Sequence, residues 1–186
     1  MFDHFDFLAP HYDRWLGEPD HRRLQELLRL PSDGWMLDAG GGTGRVSSTL
    51  RHLVGNLVIS DLSLNMLAEA RTKGELNPLQ THVENLPFQD ACFERILVVD
   101  AFHHFCNQQE SIVELLRVLK PGGRLVIEEP NIHRSIVKIV ALLEKITLMR
   151  SHFYSPETIQ SMIAAHGLQA MIRDDDRFRS WITVDK

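Results

Sequence analysis

The chain has 186 residues, of which 44% are hydrophobic and 24% charged, a composition that predicts one domain over residues 1–186. Its 20 Lys and Arg residues against 25 Asp and Glu residues give a net charge of -5, which argues against nucleic acid as a partner. No apolar run approaches the roughly 20 residues of a membrane span, and the first residues do not resemble an export signal. Two cysteines, Cys92 and Cys106, form no disulfide framework, so we expect a cytoplasmic protein.

Short apolar runs alternate with longer segments of helical period, and this order predicts an α/β fold with a parallel sheet covered by helices. The predicted strands are 35–38, 56–60, 79–83, 95–99, 124–129, 168–172 and 180–184. The predicted helices are 45–53, a segment that begins near 64, 111–119 with a stop at 120–123, and a segment from Ser155 to Gly167. A tight turn at 174–176 joins the last two strands.

A glycine-rich turn follows the first predicted strand, with Gly40, Gly42 and Gly44 in alternate positions. In a parallel sheet such a turn lies at the edge where ligands bind, and glycine lets the backbone approach a ligand closely. Asp61 ends the second strand at the same crevice, where a carboxylate can accept both hydroxyls of a ribose. A dinucleotide fingerprint requires glycine or alanine where the chain has Arg45, so an NAD-dependent oxidoreductase is the weaker interpretation.

Six sequence blocks occur in a defined order along the chain. They are residues 7–13, 37–44, 61–67, 84–88, 101–105 and 119–123. Together they resemble the class I S-adenosylmethionine-dependent methyltransferases, especially the branch of the ubiquinone and menaquinone biosynthesis methyltransferases. The resemblance implies a Rossmann-like, doubly wound sheet of seven strands, mostly parallel with an antiparallel last strand. It also implies S-adenosylmethionine as the cofactor and S-adenosylhomocysteine as the product.

The same resemblance implies which residues bind the cofactor. The glycine loop would lie against its methionine part, Asp61 would hold the ribose, Leu62 would pack on the adenine, and residues 1–20 would cover it. The complete expected set is Tyr12, Asp38, Gly40, Gly42, Gly44, Asp61, Leu62, Glu84, Asn85 and Asp100. The family usually has an acidic residue where this chain has His82, so either Glu84 or a backbone carbonyl would take the adenine contact.

Methyl transfer from a sulfonium is an in-line displacement, for which positioning supplies roughly 7 to 11 kcal/mol in favourable cases. A base is needed only when the acceptor arrives protonated. His103 and His104 follow the fourth predicted strand, and either one is a candidate base for a phenol or an enol, or a cap of the next helix. The resemblance favours His104. Asp100 ends the same strand and is interpreted as a partner of the cofactor's amino group, as a charge that favours its sulfonium, or as a solvated acid. The ten histidines show no recognised ligand spacing, so we expect no metal.

Residues 131–152 interrupt the core pattern and are predicted to form a helical lid. The sequence from Ile132 to Arg150 contains four basic residues and a single acid, Glu144. Its apolar residues lie on one face of the predicted helix. Amphipathic helices usually face a core, so the preferred interpretation is a lid over the substrate or a helix packed on the sheet. The alternative is peripheral membrane contact through 132–150, because a basic amphipathic helix can lie in the headgroup layer.

The sequence therefore predicts an S-adenosylmethionine-dependent methyltransferase that acts on a small-molecule acceptor, phenolic or quinone-like. Two alternatives stay open: a protein that binds the cofactor without transferring the methyl group, and the NAD-dependent oxidoreductase. The predicted core uses almost all of the chain, so acceptor choice is expected to lie in residues 1–20 and 131–152. The sequence also leaves open a homodimer in which a partner subunit shares that choice.

Overall fold

A computed structural model describes residues 19–146 and 151–186 of the chain. Seven strands form one sheet in the order β3-β2-β1-β4-β5-β7-β6. The strands are β1 (Ser32–Ala39), β2 (Val54–Asp61), β3 (Pro78–Gln80), β4 (Phe93–Val99), β5 (Leu119–Pro130), β6 (Ala170–Asp174) and β7 (Arg179–Asp185). β1 to β5 run parallel, β7 is antiparallel to β5, and β6 is antiparallel to β7. The predicted α/β class and the mostly parallel sheet with an antiparallel last strand are confirmed.

Helices cover both faces of this sheet. They are α1 (His21–Leu28), α2 (Ser47–Leu50), α3 (Leu64–Arg71), α4 (Gln108–Val118), α5 (Ser135–Ile146) and α6 (Pro156–Ala164). Successive strand residues alternate between the two faces, as Met36 and Leu37 do in β1. The first face carries buried residues of α1 to α3, and the second carries those of α4 and α6. The continuous apolar runs of the strands follow from this double coverage.

Several predicted boundaries differ from those of the structure. The predicted helix 45–53 is reduced to α2 and a following 3-10 turn, because the glycine loop continues through Gly44, whose N–H donates to the carbonyl of Gly41. β3 ends at Gln80 rather than at 83. The predicted stop of the helix before 120–123 is confirmed, and these residues belong to β5, where Gly122 and Gly123 exchange backbone hydrogen bonds with Lys186.

Parts of two predicted regions lie outside the described residues. Of the predicted cofactor-covering segment 1–20, the structure describes 19 and 20, so the expected role of Tyr12 stays a prediction. The predicted lid, 131–152, is described except for 147–150.

Helix α5 forms within the predicted lid but does not lie flat on the core. Val137 is buried, whereas Ile136, Ile139 and Leu142 are 58%, 55% and 58% exposed. Packing on the core, one of the two forms of the preferred interpretation, therefore does not hold for Ile136, Ile139 and Leu142, while a lid over the substrate stays a prediction. Within the described ranges, none of the helices has the length and apolar character needed to cross a membrane.

Candidate cofactor and acceptor site

The carboxyl ends of β1, β2, β4 and β5 meet at one edge of the sheet, and the glycine loop starts there. The N–H groups of Gly40 and Gly41 donate to the Ser60 carbonyl at 2.8 and 3.2 Å, which ties the loop to the end of β2. Gly40 has φ +74°, and a Cβ there would lie 2.6 Å from the Cβ of Ala101 beyond β4. Only glycine therefore lets the loop pass this close to the end of β4.

Asp61 connects the glycine loop to the start of α3. Its Oδ2 accepts from the Gly42 N–H at 2.9 Å, and its Oδ1 accepts from the Ser63 N–H at 2.9 Å. Ser63, rather than Asp61, is the N-cap of α3, since its hydroxyl accepts from the Met66 N–H at 3.1 Å. The neighbouring Leu62 is 42% exposed. A fixed carboxylate and an exposed apolar side chain beside a glycine cradle fit the ribose and adenine of an adenosine cofactor.

Glu84 and Asn85 lie in a 3-10 turn after β3, beside the start of α4. Glu84 Oε1 accepts from the Asn107 N–H at 2.9 Å, and its Oε2 lies 3.7 Å from Nδ1 of His82. Asn85 is exposed. These residues border a cleft of about 480 Å³ that also includes Thr81 and Cys106. Glu84 therefore fixes the turn against α4, and His82 stands exposed where the family usually has an acid.

Asp38 supports the glycine loop from below instead of facing the edge of the sheet. It is 2% exposed, and its carboxylate accepts from the Ser47 hydroxyl at 2.5 Å. A Cβ on Gly41 would lie 2.7 Å from this carboxylate. Burial raises the pKa of Asp38 from 3.8 to about 6, an effect that the Ser47 hydrogen bond opposes and the negative charge of Asp61 increases.

The buried Asp38 carboxyl is expected to make the stability of the protein depend on pH. Because its pKa is raised on folding, the folded protein binds this proton more tightly than the unfolded chain. The free energy of unfolding should therefore fall by about 2 kcal/mol as the pH rises from about 4 to about 6. Asp38→Asn should remove this contribution, as measured by urea unfolding across that pH range.

Ser47→Ala is the companion variant, because it leaves the Asp38 carboxyl in place and removes the hydrogen bond that lowers its pKa. The pH window in which stability falls should then move upward. Identical pH profiles for the wild type and Asp38→Asn would show that this carboxyl does not titrate as the structure indicates.

His103 forms a buried pair with an acid at the end of β5. Its Nδ1 lies 2.6 Å from Oε2 of Glu129, and both side chains are 5% exposed. Glu129 Oε1 accepts from the Phe102 N–H at 2.8 Å, so the carboxylate is held from two directions. The ring of Phe153 stacks on His103 with centroids 4.2 Å apart. A carboxylate on one imidazole nitrogen fixes the ring and stabilises its charged form.

His104 lies in a different environment from its neighbour. Its Nδ1 is 3.2 Å from the Ser151 hydroxyl, and burial, followed by repulsion from His103, lowers its pKa to about 3. A base is most effective when its pKa is near the working pH, so His104 is poorly suited to remove a proton at neutral pH. The geometry thus favours His103 with Glu129, although the family resemblance points to His104.

Glu128 was not among the predicted site residues, and it holds two side chains near the end of β5. Glu128 is 2% exposed, forms a close ion pair with Arg179, and accepts from Nε1 of Trp181 at 2.7 Å. Arg179 also lies 3.9 Å from Oδ2 of Asp100, so Asp100 is neither fully solvated nor free to face a ligand alone. A signal was present, because Glu128 and Glu129 end an apolar strand in which unpaired acids are rare.

Residues 37–127 match a family model described as a methyltransferase domain. The match covers just under half of the 186 residues, and together with the seven-stranded fold it makes the chain similar to methyltransferase domains.

The chain is 34% identical to the ubiquinone/menaquinone biosynthesis C-methyltransferase UbiE of Pseudomonas aeruginosa over 114 residues, 56% of this chain and 44% of the relative. The UbiE protein of Shewanella sediminis is 36% identical over 104 residues, 50% of this chain and 41% of the relative. The chain thus spans less than half the length of the curated relatives that it matches.

Solved structures share the fold at low sequence identity. A chain from the complex of the Haloferax volcanii Trm112 methyltransferase activator with a methyltransferase has a TM-score of 0.80 at 19% identity, and covers 100% of this chain and 98% of its own. An S-adenosylmethionine-dependent methyltransferase from Thermotoga maritima has a TM-score of 0.76 at 20% identity, covering 98% and 97%. The [4+2]-cyclase SpnF has a TM-score of 0.77 at 17% identity, covering 98% and 94%, so this fold alone does not determine the reaction.

Proposed function

We propose that the chain is an S-adenosylmethionine-dependent methyltransferase that acts on a small molecule. The observation that carries this proposal is the cradle at the ends of β1 and β2, where Asp61 is fixed against the glycine loop and Leu62 is exposed beside it. When bound, S-adenosylmethionine supplies an electrophilic methyl group. The chain's own contribution is to hold the cofactor and the acceptor in line and to exclude water between them.

We further propose a phenolic or quinone-like acceptor, which the name of the UbiE relatives supports. An acceptor of this kind loses a proton when it is methylated, and His103 beside Glu129 is the group assigned to take it. The carboxylate of Glu129 stabilises the imidazolium that results. Because the ring of Phe153 stacks on His103, this role requires Phe153 to move aside so that the acceptor can reach the imidazole.

Calorimetry with S-adenosylhomocysteine, followed by transfer assays with labelled S-adenosylmethionine, tests the proposal in two steps. Binding of the nucleoside product together with methylation of a phenol or a quinol supports it. Binding without methylation across a broad acceptor panel would instead support a cofactor-binding protein without transfer activity. If NAD binds and S-adenosylhomocysteine does not, the oxidoreductase interpretation replaces the proposal.

We also propose peripheral membrane contact through residues 132–150. The support is helix α5, where Ile136, Ile139 and Leu142 are exposed and Lys138 is exposed between them in sequence. Exposed apolar side chains with a cation nearby suit the boundary between anionic headgroups and acyl chains. A lipid-tailed acceptor would be reached from such a surface.

The wild-type protein is expected to float with anionic liposomes at low salt. Burial of the exposed apolar side chains of α5 in the membrane surface and the positive charge of Lys138 both favour binding. The triple variant Ile136→Ser/Ile139→Ser/Leu142→Ser should remain at the bottom of the gradient. Val113→Ser is the control, since Val113 is 46% exposed on a different helix, α4. Equal flotation of all three proteins, or of none, would refute the membrane contact.

A further inference from the structure

A cleft of about 610 Å³ opens between the start of α1 and the start of β7, and we call it the basic cleft. It is lined by four arginines, three acids and one tryptophan: Arg22, Arg23, Arg177, Arg179, Asp20, Glu26, Asp175 and Trp181. β7 is antiparallel to β5, so its first residues lie at the carboxyl end of β5, the edge that carries the candidate cofactor site. The basic cleft is thus on the same side of the sheet as the glycine loop.

Two of the three acids in the basic cleft are occupied by backbone donors. Asp20 caps α1 by accepting from the Arg23 N–H at 3.1 Å. Asp175 Oδ1 accepts from three successive backbone N–H groups, those of residues 177 to 179, at 2.8 to 2.9 Å. In the described part of the chain, Arg22, Arg23 and Arg177 form no ion pair within 4.0 Å. The lining thus has one more cation than anions, and the guanidinium groups of Arg22, Arg23 and Arg177 keep donors that no ion pair among the described residues uses.

The inner wall of the basic cleft is held in place by Glu128. The guanidinium carbon of Arg23 lies 4.9 Å from the centre of the Trp181 ring, and Nε1 of Trp181 donates to Glu128 at 2.7 Å. Arg179 pairs with the same carboxylate and reaches to within 3.9 Å of Asp100 at the end of β4. One buried acid therefore fixes both the wall of the cleft and its connection to the edge of the sheet.

From this arrangement we infer that the basic cleft binds an anionic group, a carboxylate or a phosphate, on the methyl acceptor. The inference rests on the proposed methyltransferase function. Arginine suits this task because its planar donors match the oxygens of carboxylates and phosphates. The volume is within the range of small-molecule sites. Arg22 and Arg177, both exposed at the cleft, are the residues that contact the anion, while Arg179 keeps its structural partner Glu128.

Calorimetry on the full chain tests this inference with two probes, inorganic phosphate and benzoate, each titrated with and without S-adenosylhomocysteine. The double variant Arg22→Gln/Arg177→Gln should weaken binding of the preferred anion by about tenfold or more, as expected for the loss of charge-assisted hydrogen bonds. Arg173→Gln is the matched control, because Arg173 is an exposed arginine of β6 outside the cleft. It should bind the anion as the wild type does.

The two probes separate the chemical classes: preferential binding of phosphate indicates a phosphorylated acceptor, and preferential binding of benzoate indicates a carboxylic acid. Equal affinity in the wild type and the double variant would overturn the inference, as would a failure of the wild type to bind either anion. S-adenosylhomocysteine should bind all variants equally. If the wild type does not bind S-adenosylhomocysteine, the proposed function is refuted. The titrations of phosphate and benzoate without S-adenosylhomocysteine would still decide whether the basic cleft binds anions.

Discussion

Asp61→Ala is expected to weaken S-adenosylhomocysteine binding by about 10- to 100-fold, because two charge-assisted hydrogen bonds to the ribose are lost. The structure gives a second reason for a large effect. The Asp61 carboxylate also accepts from the N–H groups of Gly42 and Ser63, so its removal loosens the glycine loop that forms the cradle. Isothermal titration calorimetry of the wild type and the variant measures the change directly.

Asp33→Ala is the control, since Asp33 is an exposed acid near the start of β1, at the opposite edge of the sheet. The control should bind the nucleoside with wild-type affinity. Thermal unfolding of both variants separates lost contacts from lost folding. Unchanged affinity in folded Asp61→Ala would remove the ribose role of this residue and, with it, the main support for the cofactor site.

Gly44→Ala is expected to lower the free energy of unfolding by about 2 to 5 kcal/mol, the sum of backbone strain and overpacking. Gly44 has φ +71°, a conformation that costs an L-residue about 1 to 2 kcal/mol. In addition, a Cβ there would lie 2.7 Å from Cδ1 of Leu76 and 2.9 Å from Cδ1 of Ile59, both fully buried. Urea unfolding gives the size of the loss.

Gly167→Ala separates the two contributions, because Gly167 has a similar φ of +77° but nothing within 4 Å of its Cβ position. It should lose only the conformational part, about 1 to 2 kcal/mol. The difference between the two variants then measures how tightly the end of the glycine loop packs on the core. Equal losses at both positions would mean that Leu76 and Ile59 move aside without cost.

Local sequence signals predicted most of the fold. The apolar runs of β1, β2, β4 and β5 are recognisable because strands buried on both faces need apolar residues throughout. Ser155 followed by Pro156 marks the start of α6, where Ser155 accepts from the Thr158 N–H. The start of β5 was harder to place, since Gly122 and Gly123 pair with Lys186, a contact between distant parts of the chain.

The residues of the candidate site also differ in whether local sequence signals predict them. The glycine loop and Asp61 are identifiable from sequence, because a conformation that needs glycine and an acid at a strand end leave direct marks in the chain. The different environments of His103 and His104 cannot be identified from the sequence, because the two residues are adjacent. Glu129, which lies 26 residues away in the sequence, forms a hydrogen-bonded pair with His103, while burial lowers the pKa of His104 to about 3.

By itself, the sequence determined the α/β class, the order of the strands in the chain and the position of the glycine loop, since these depend on hydrophobic period and on local turn chemistry. Tertiary structure decided the rest. It buried Asp38 against Ser47, joined Glu128 to Arg179 and Trp181, and left three apolar residues of α5 exposed. Burial and long-range pairing depend on which surfaces meet in space, and one-dimensional spacing does not encode that directly.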